Sequence, residues 1–237
     1  MNITLEEKLM YELMKAIYES GIPINFKGSM VLKAFLIEAG YTEETRHTVD
    51  IDANWNCDTP PSAEQMVESL QKAINNNNID LNISLYRMYG EGRSAGFELT
   101  DNATGEILFT MDVDVNRPDV PTKIYEVSGV RFCGVAPIQM IADKTTVISG
   151  DKAFRRIKDV IDLYYMSNVF DFDRCAVLEA IKNSKRTLGN FNGFLHRTED
   201  LKHSYEKFRF AGGVNKPPFE DVYSAVKSYI RDFLPKE

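Results

Sequence analysis

The chain has 237 residues, of which 43% are hydrophobic and 27% are charged, and its net charge is −7. This composition is typical of a globular protein and excludes a disordered or fibrous chain. No apolar run approaches the ~18 residues of a membrane-spanning helix, and the first residues lack the basic-then-apolar pattern of a signal peptide. Three scattered cysteines without metal-ligand spacing predict free thiols, and the protein is expected to be cytoplasmic.

The charge is uneven along the chain. Residues 1–125 carry 10 Lys and Arg against 20 Asp and Glu, whereas residues 126–237 carry 18 against 15. The net negative charge argues against strong general affinity for nucleic acid. The acidic first part is what a metal site needs, and the basic excess of the second part is suited to steering an NTP or a polyanionic acceptor.

A strand, a turn and a helix are predicted near the start of the chain. Residues 24–26 form a short buried strand, and residues 30–39 form a helix with one apolar side. Gly28 and Ser29 lie at the turn between them, where glycine allows close approach of the backbone. The free N–H groups of the helix N-terminus favour phosphate there. A turn glycine followed by a simple N-cap serine explains the same residues without any ligand.

A second predicted strand carries two carboxylates. In residues 49–53 the side chains alternate between faces, so Asp50 and Asp52 lie on one side. Two like charges so close need a cation, and Mg2+ takes oxygen ligands of this kind. Two such ions stabilise the attacking and leaving oxygens in nucleotidyl transfer. An Asp-x-Asp triplet alone is more commonly a loop or a solvated strand face.

Alternating apolar residues predict an antiparallel meander between residues 79 and 115, with turns at 90–96 and 102–105. In its last strand Asp112 and Asp114 share the face opposite the apolar side chains. Asp112 is the preferred third metal ligand and is suited to help deprotonate the attacking hydroxyl. Asp114 is the second choice for this ligand. Alternatively, Asp114 is simply a solvated residue at the end of the strand.

Pro137 opens a predicted helix in which the apolar residues recur at helical spacing and Lys144 lies on a different face. A lysine there is either a point charge for a triphosphate or an ordinary solvated surface lysine.

The next predicted helix covers roughly residues 152–168. Arg155, Asp159 and Asp162 share one side of it, which suits either a salt-bridged surface helix or an organised active-site wall. Asp162 is interpreted as a structural partner of Arg155 or Arg156.

Beyond residue 170 the pattern predicts helices only, with basic and aromatic residues interleaved. Such a mixture suits RNA, because phosphates are neutralised and exposed bases stack. It also suits amphipathic helices around an apolar core. The residues concerned are Lys182, Lys185, Arg186, Arg197, Lys202, Lys207 and Arg209, with Phe191, Phe194, Tyr205, Phe208 and Phe210.

The Gly28-Ser29 motif followed by Asp50-Ile51-Asp52 resembles the core pattern of the DNA polymerase β-like nucleotidyltransferase superfamily. More closely, the chain resembles the AbiEii/AbiGii toxin family of bacterial nucleotidyltransferases. Residues 141–144, with Lys144, and residues 155–164, with Asp159, match that family's later motifs in order and in approximate spacing. The resemblance spans about residues 20–166. The spacer after Ser29 is longer than in compact superfamily members, and Lys27 replaces the commoner first glycine of the motif.

The resemblance implies an α+β fold, with a mixed sheet and flanking helices over residues 1–135. A mainly helical region over residues 136–237 follows and contributes Lys144 and Asp159 to the site.

The implied activity is metal-dependent transfer of an NMP from an NTP to a hydroxyl of RNA, with tRNA as one candidate, or of protein. The implied biological role is a toxin of a bacterial toxin–antitoxin or phage-defence (abortive infection) system, with a cognate antitoxin as partner and no membrane. Two alternatives stay open: a non-catalytic NTP-binding or interaction protein, and a phosphotransferase that uses the γ-phosphate.

Each motif residue then has an expected role. Gly28 and Ser29 hold the β- and γ-phosphates, Lys144 neutralises developing charge, and Asp159 completes the catalytic set. Lys27 and Arg155 are further expected nucleotide contacts. The expected ligands of two Mg2+ ions are Asp50, Asp52 and Asp112, with Asp114 as a fourth candidate.

Overall fold

The computed structural model describes residues 3–46, 48–90, 94–115, 118–210 and 216–235. The chain divides into two units. Residues 2–38 and 48–135 form the first, here called the sheet unit, and residues 39–47 and 136–237, with residue 1, form the second, the helical unit. The predicted domain boundary after residue 135 stays a prediction. Among the described residues, no helix is both long and apolar enough to span a membrane.

Seven strands form one mixed sheet within the described part of the sheet unit. The neighbouring strands β2 and β5 are parallel, as are β1 and β7, and the other pairs are antiparallel. Their order across the sheet is β3-β4-β5-β2-β1-β7-β6. The strands are β1 Ile24–Lys27, β2 Asp50–Trp55, β3 Leu81–Tyr89, β4 Ser94–Asp101, β5 Ile107–Val115, β6 Thr122–Val127 and β7 Val130–Val135.

Three helices accompany this sheet in the described residues: α1 Leu5–Glu19, α2 Gly28–Glu38 and α3 Ala63–Asn76. A buried ion pair joins α1 to α2, with Lys33 Nζ 2.6 Å from Glu7 Oε2. The Tyr11 hydroxyl also donates a hydrogen bond to the carbonyl of Met30. These contacts fix α2, whose N-terminal residue is Gly28.

The helical unit contains α4 to α9 in its described part, together with two short 3-10 turns. The helices are α4 Pro137–Ile148, α5 Ile157–Ser167, α6 Arg174–Asn183, α7 Asn192–Leu195, α8 Thr198–Lys207 and α9 Phe219–Tyr229, and the turns are Ala153–Arg156 and Arg231–Phe233. The prediction of helices beyond residue 170 is confirmed for the described residues.

The predicted α+β class with a mixed sheet is confirmed, as is the antiparallel meander of β3, β4 and β5. The strand before Gly28 and the helix after it are confirmed as well, although the helix begins at Gly28 itself and not at residue 30. Two local predictions are wrong. The turn over residues 90–96 extends too far, because β4 begins at Ser94 and Gly96 lies inside the strand. The helix over residues 152–168 begins as a 3-10 turn and becomes α-helical only at Ile157.

Candidate active site

One face of the sheet carries a row of polar side chains at its centre. Along β1, β2 and β5, buried apolar residues alternate with half-buried polar ones. Asp52 and Asp112 are register partners on the parallel strands β2 and β5. Neighbouring strands lie about 4.8 Å apart, so these two carboxylates project side by side from the same face. Asp50, two residues before Asp52 on β2, projects from the same face and is the register partner of Thr110.

Gly28 brings the N-terminus of α2 directly against this carboxylate row. Its φ of +72° lies in the left-handed region, and a Cβ atom at this position would overlap the Asp52 carboxylate. Ser29 follows as the second residue of the helix and is buried. The predicted phosphate cradle and the predicted metal strand are therefore adjacent.

Asp114 is held by side chains from two other strands, β1 and β4. Lys27 Nζ lies 2.7 Å from Asp114 Oδ2 and donates a second 2.7 Å hydrogen bond to Asn54 Oδ1. The Ser94 hydroxyl donates to Asp114 Oδ1. Because the Asp114 side chain is only 18% exposed, solvation at the strand end is the wrong interpretation of this residue. Lys27, an expected nucleotide contact, is an ion-pair partner of Asp114 here.

Asp112 has partners that the sequence did not suggest. Arg87 Nη2 lies 3.1 and 3.3 Å from the two Asp112 oxygens. Burial, the charge of Asp112 and a hydrogen bond with that carboxylate raise the pKa of Tyr89 to about 12. Gly96 sits between the β3 and β5 side chains, where a Cβ atom would come within 2.9 Å of Arg87 Cγ and of Asp112 Oδ1.

The donor set of this face suits a hard divalent cation. Asp52 and Asp112 supply half-buried carboxylate oxygens, the ligand type that Mg2+ takes. As the side chains stand, no group of three or more His, Cys, Asp or Glu among the described residues is arranged to hold a metal ion. Arg87 and Lys27 instead neutralise Asp112 and Asp114.

The helical unit contains a buried charge cluster around Asp162. Lys144 Nζ lies 2.6 Å from Asp162 Oδ2, and Arg46 makes two hydrogen bonds to the same carboxylate at 2.7 and 3.0 Å. The Asp162 side chain is 1% exposed and that of Lys144 is 10% exposed. The solvated-lysine interpretation of Lys144 is therefore wrong.

Electrostatics favours the charged forms in this cluster. Burial alone would raise the pKa of Asp162, but Arg46 and Lys144 outweigh it and hold that pKa well below its usual range. Burial alone would lower the pKa of Lys144, and Asp162 together with Asp159 raises it instead. Both groups are charged at neutral pH.

The predicted partners of Asp162 are corrected by this geometry. Its contacts are with Arg46, more than 100 residues earlier in the chain, and with Lys144 rather than with Arg155 or Arg156. Arg156 pairs instead with Asp159 at 3.0 Å, and Lys144 Nζ lies 3.5 Å from Asp159 Oδ1. Lys144 and Asp159 thus share one cluster in the helical unit, and their predicted roles toward a nucleotide stay predictions.

The aromatic residues of the basic C-terminal stretch are largely core. Phe191 and Phe194 are 0% exposed and Tyr205 is 2% exposed, so these three rings are not available to stack on bases. Two of the basic residues are paired on the surface, Arg197 with Asp200 and Lys202 with Glu220, each at 2.7 Å. These buried rings and surface ion pairs fit the interpretation of this stretch as amphipathic helices around an apolar core.

Comparisons with known proteins concern the fold and the family of the chain. In a search of curated proteins, no match was found. Among solved structures, the chain is similar to MenT4, a nucleotidyltransferase toxin from Mycobacterium tuberculosis H37Rv, with a TM-score of 0.59 and 16% sequence identity. That match covers 95% of this chain and 81% of the MenT4 chain, and at this identity it shows the fold.

The sequence model of one family matches residues 9–225, which is most of the chain. The description of that family is nucleotidyl transferase AbiEii toxin, type IV toxin–antitoxin system. The matched range includes the strand-turn-helix at Gly28, the carboxylate strands and the Lys144 and Asp159 helices. The chain belongs to the AbiEii family of nucleotidyltransferase toxins.

Proposed function

We propose that this protein transfers an NMP from an NTP to a hydroxyl of an RNA or protein acceptor, with the help of divalent metal ions. The observation that carries the proposal is the arrangement at Gly28: the N-terminus of α2 abuts Asp52, and Asp52 is the register partner of Asp112. Backbone N–H groups that suit a triphosphate thus lie beside carboxylates that suit a metal ion.

The residues of the sheet unit have distinct tasks in this proposal. Gly28 and Ser29 bind the β- and γ-phosphates through the first N–H groups of α2. Asp52 and Asp112, with Asp50, hold Mg2+. The metal ions, when bound, polarise the α-phosphate and stabilise the attacking and leaving oxygens. Asp112 also helps to remove the proton of the attacking hydroxyl.

Two residues of the helical unit are included on the strength of the family motifs. Lys144 supplies a positive charge to the phosphates, and Asp159 fixes its direction. The 3.5 Å separation of their charged atoms supports the second role. Arg155 remains a proposed nucleotide contact; in the structure its guanidinium lies 5.9 Å from the centre of the Phe154 ring.

Family membership also supports a partner. A toxin of a type IV toxin–antitoxin system acts alongside an antitoxin, and we include a cognate antitoxin in the proposal.

To test this proposal, the purified protein is incubated with Mg2+, total bacterial RNA and each of the four NTPs in turn. Each NTP is labelled at the α- or the γ-phosphate. The proposal predicts that α-label moves into RNA or protein and that γ-label leaves as pyrophosphate. The label also identifies the base and the class of acceptor.

The double variant Asp50→Ala/Asp52→Ala is the control and should transfer no label. Transfer of γ-label to the acceptor would instead indicate a phosphotransferase. Binding of NTP without transfer of either label to any acceptor would favour a non-catalytic binding protein.

A further inference from the structure

Arg87 reaches Asp112 across the width of an intervening strand. It lies on β3, its register partner on β4 is Gly96, and Gly96 is in turn the register partner of Asp112 on β5. Two strand spacings amount to about 10 Å, which a long side chain spans only if the middle residue leaves room. Gly96 leaves that room, because a Cβ atom there would lie 2.7 Å from the Tyr86 ring and 2.9 Å from Arg87 Cγ.

Two aromatic rings flank the guanidinium of Arg87. Its Cζ atom lies 4.8 Å from the centre of the Tyr86 ring and 5.0 Å from that of Tyr89, distances at which cation–π attraction operates. The Arg87 side chain is nevertheless 50% exposed. The rings therefore keep the guanidinium near Asp112 without enclosing it, so the ion pair can open without moving the strand.

The ion pair and a metal ion need the same carboxylate. Arg87 contacts both oxygens of Asp112, and its positive charge opposes a cation bound at that position. A metal ion on Asp112 therefore has to displace Arg87. The displaced guanidinium, still beside Tyr86 and Tyr89, needs a new anionic partner, and a phosphate matches its planar pair of donors.

We propose that Arg87 is an exchangeable partner of Asp112. It neutralises this carboxylate when no metal ion is bound, and it contacts a phosphate of the NTP once a metal ion has taken Asp112. The inference rests on the proposed function for the metal site and the NTP, and it adds a specific phosphate-binding residue on the edge strand β3.

The first test measures Mn2+ binding to the full chain by electron paramagnetic resonance of the free ion, with no nucleotide or acceptor present. Arg87→Met should lower the Kd for Mn2+ about fivefold, because an opposing charge is gone. Arg87→Lys, which keeps the charge, should stay within about twofold of the wild type. Arg131→Met removes an exposed arginine from β7 and should also change little.

The second test adds an NTP analogue with a methylene bridge between the α- and β-phosphates, at saturating Mn2+. Arg87→Met should raise the Kd of the analogue about tenfold, whereas Arg131→Met should leave it unchanged. Neither measurement needs turnover, so both can be read even if the chain transfers no nucleotide.

The outcomes separate this inference from the proposed function. Wild-type Mn2+ affinity in Arg87→Met, with affinity lost in Asp112→Asn, would overturn the role of Arg87 alone. Wild-type Mn2+ affinity in Asp112→Asn would overturn the metal site and, with it, the role of Arg87. Tighter Mn2+ binding with unchanged affinity for the analogue would overturn the phosphate contact.

Discussion

At Gly28 the lack of a side chain lets the N-terminus of α2 lie against the Asp52 carboxylate. Two requirements meet there, a left-handed φ of +72° and the absence of a Cβ atom. A residue with a Cβ atom would be strained in this left-handed backbone conformation, and its Cβ atom would displace the Asp52 side chain. Gly21 is a useful comparison, because it has a similar φ of +68° but nothing within 4 Å of where its Cβ atom would be.

We therefore expect Gly28→Ala to lower the rate of label transfer by about 100-fold, since it moves a carboxylate that the reaction needs. Both Gly28→Ala and Gly21→Ala should lose about 1–2 kcal/mol of stability for the left-handed backbone. Transfer rates from α-labelled NTP and thermal unfolding of both variants test this. A Gly21→Ala protein as inactive as Gly28→Ala would show that backbone strain, and not the contact with Asp52, is responsible.

At the scale of elements, the cluster around Asp162 ties α4 and α5 to the segment that precedes β2. Lys144 comes from α4, Asp159 and Asp162 come from α5, and Arg46 comes from residues 39–47. Removing one member of a buried cluster leaves the remaining charges less well compensated in a site with little access to water.

Asp162→Asn should lower the free energy of unfolding by about 3–5 kcal/mol, because Arg46 and Lys144 would stay buried as positive charges and lose their short contacts with the Asp162 carboxylate. Urea unfolding at pH 7 measures this change. Asp143→Asn is the matched control on α4: its ion pair with Arg186 is 33% and 41% exposed, and its loss should cost under about 1 kcal/mol. Equal losses in the two variants would contradict the importance of the buried cluster.

The same cluster predicts a pH dependence. The pKa of Asp162 is held below its usual value in the folded protein, so its contribution to stability is complete above the unfolded pKa of about 4. That contribution is lost as the pH falls below 4 toward the folded pKa. The stability difference between the wild type and Asp162→Asn should thus shrink from pH 7 to pH 3. A constant difference across this range would argue against the buried carboxylate as its source.

The elements also show which parts of the site sequence patterns can predict. The turn at Gly28 and the alternation of Asp50 with Asp52 depend on local periodicity, which is visible in the sequence. The position of Arg87 cannot be predicted from this periodicity. A β-bulge between Leu85 and Arg87 shifts the register of β3 and moves Arg87 to the polar face. Simple alternation from Leu81 and Leu85 would have placed it on the apolar face.

Side-chain partners that are distant in the sequence cannot be predicted from local patterns either. The i, i+4 and i, i+7 rule suggested partners for Asp162 on its own helix, whereas the structure supplies Arg46 from a distant segment. The sequence pattern predicts Gly96 at the junction of the turn and the following strand, and it does not show that this glycine leaves a gap between side chains. The contacts of Gly96 become visible only once β3, β4 and β5 are in register.

At the scale of the whole molecule, the fold is shared with MenT4 at only 16% identity. What the two proteins share is therefore the architecture, whereas the family of this chain is given by the sequence model that matches residues 9–225. Within the fold, the carboxylate row of the sheet unit is the part on which the proposed chemistry depends most. Its central residue is Asp52, which lies beside both Gly28 and Asp112.

The most direct test is the single-turnover rate of α-label transfer to bacterial RNA by Asp52→Ala, compared with the wild type. We expect a decrease of about 10³-fold or more, equivalent to ~4 kcal/mol of transition-state stabilisation. Asp80→Ala, which removes an exposed aspartate just before β3, should stay within about twofold of the wild type. Near-wild-type transfer by a folded Asp52→Ala protein would contradict the assignment of this face as the active site.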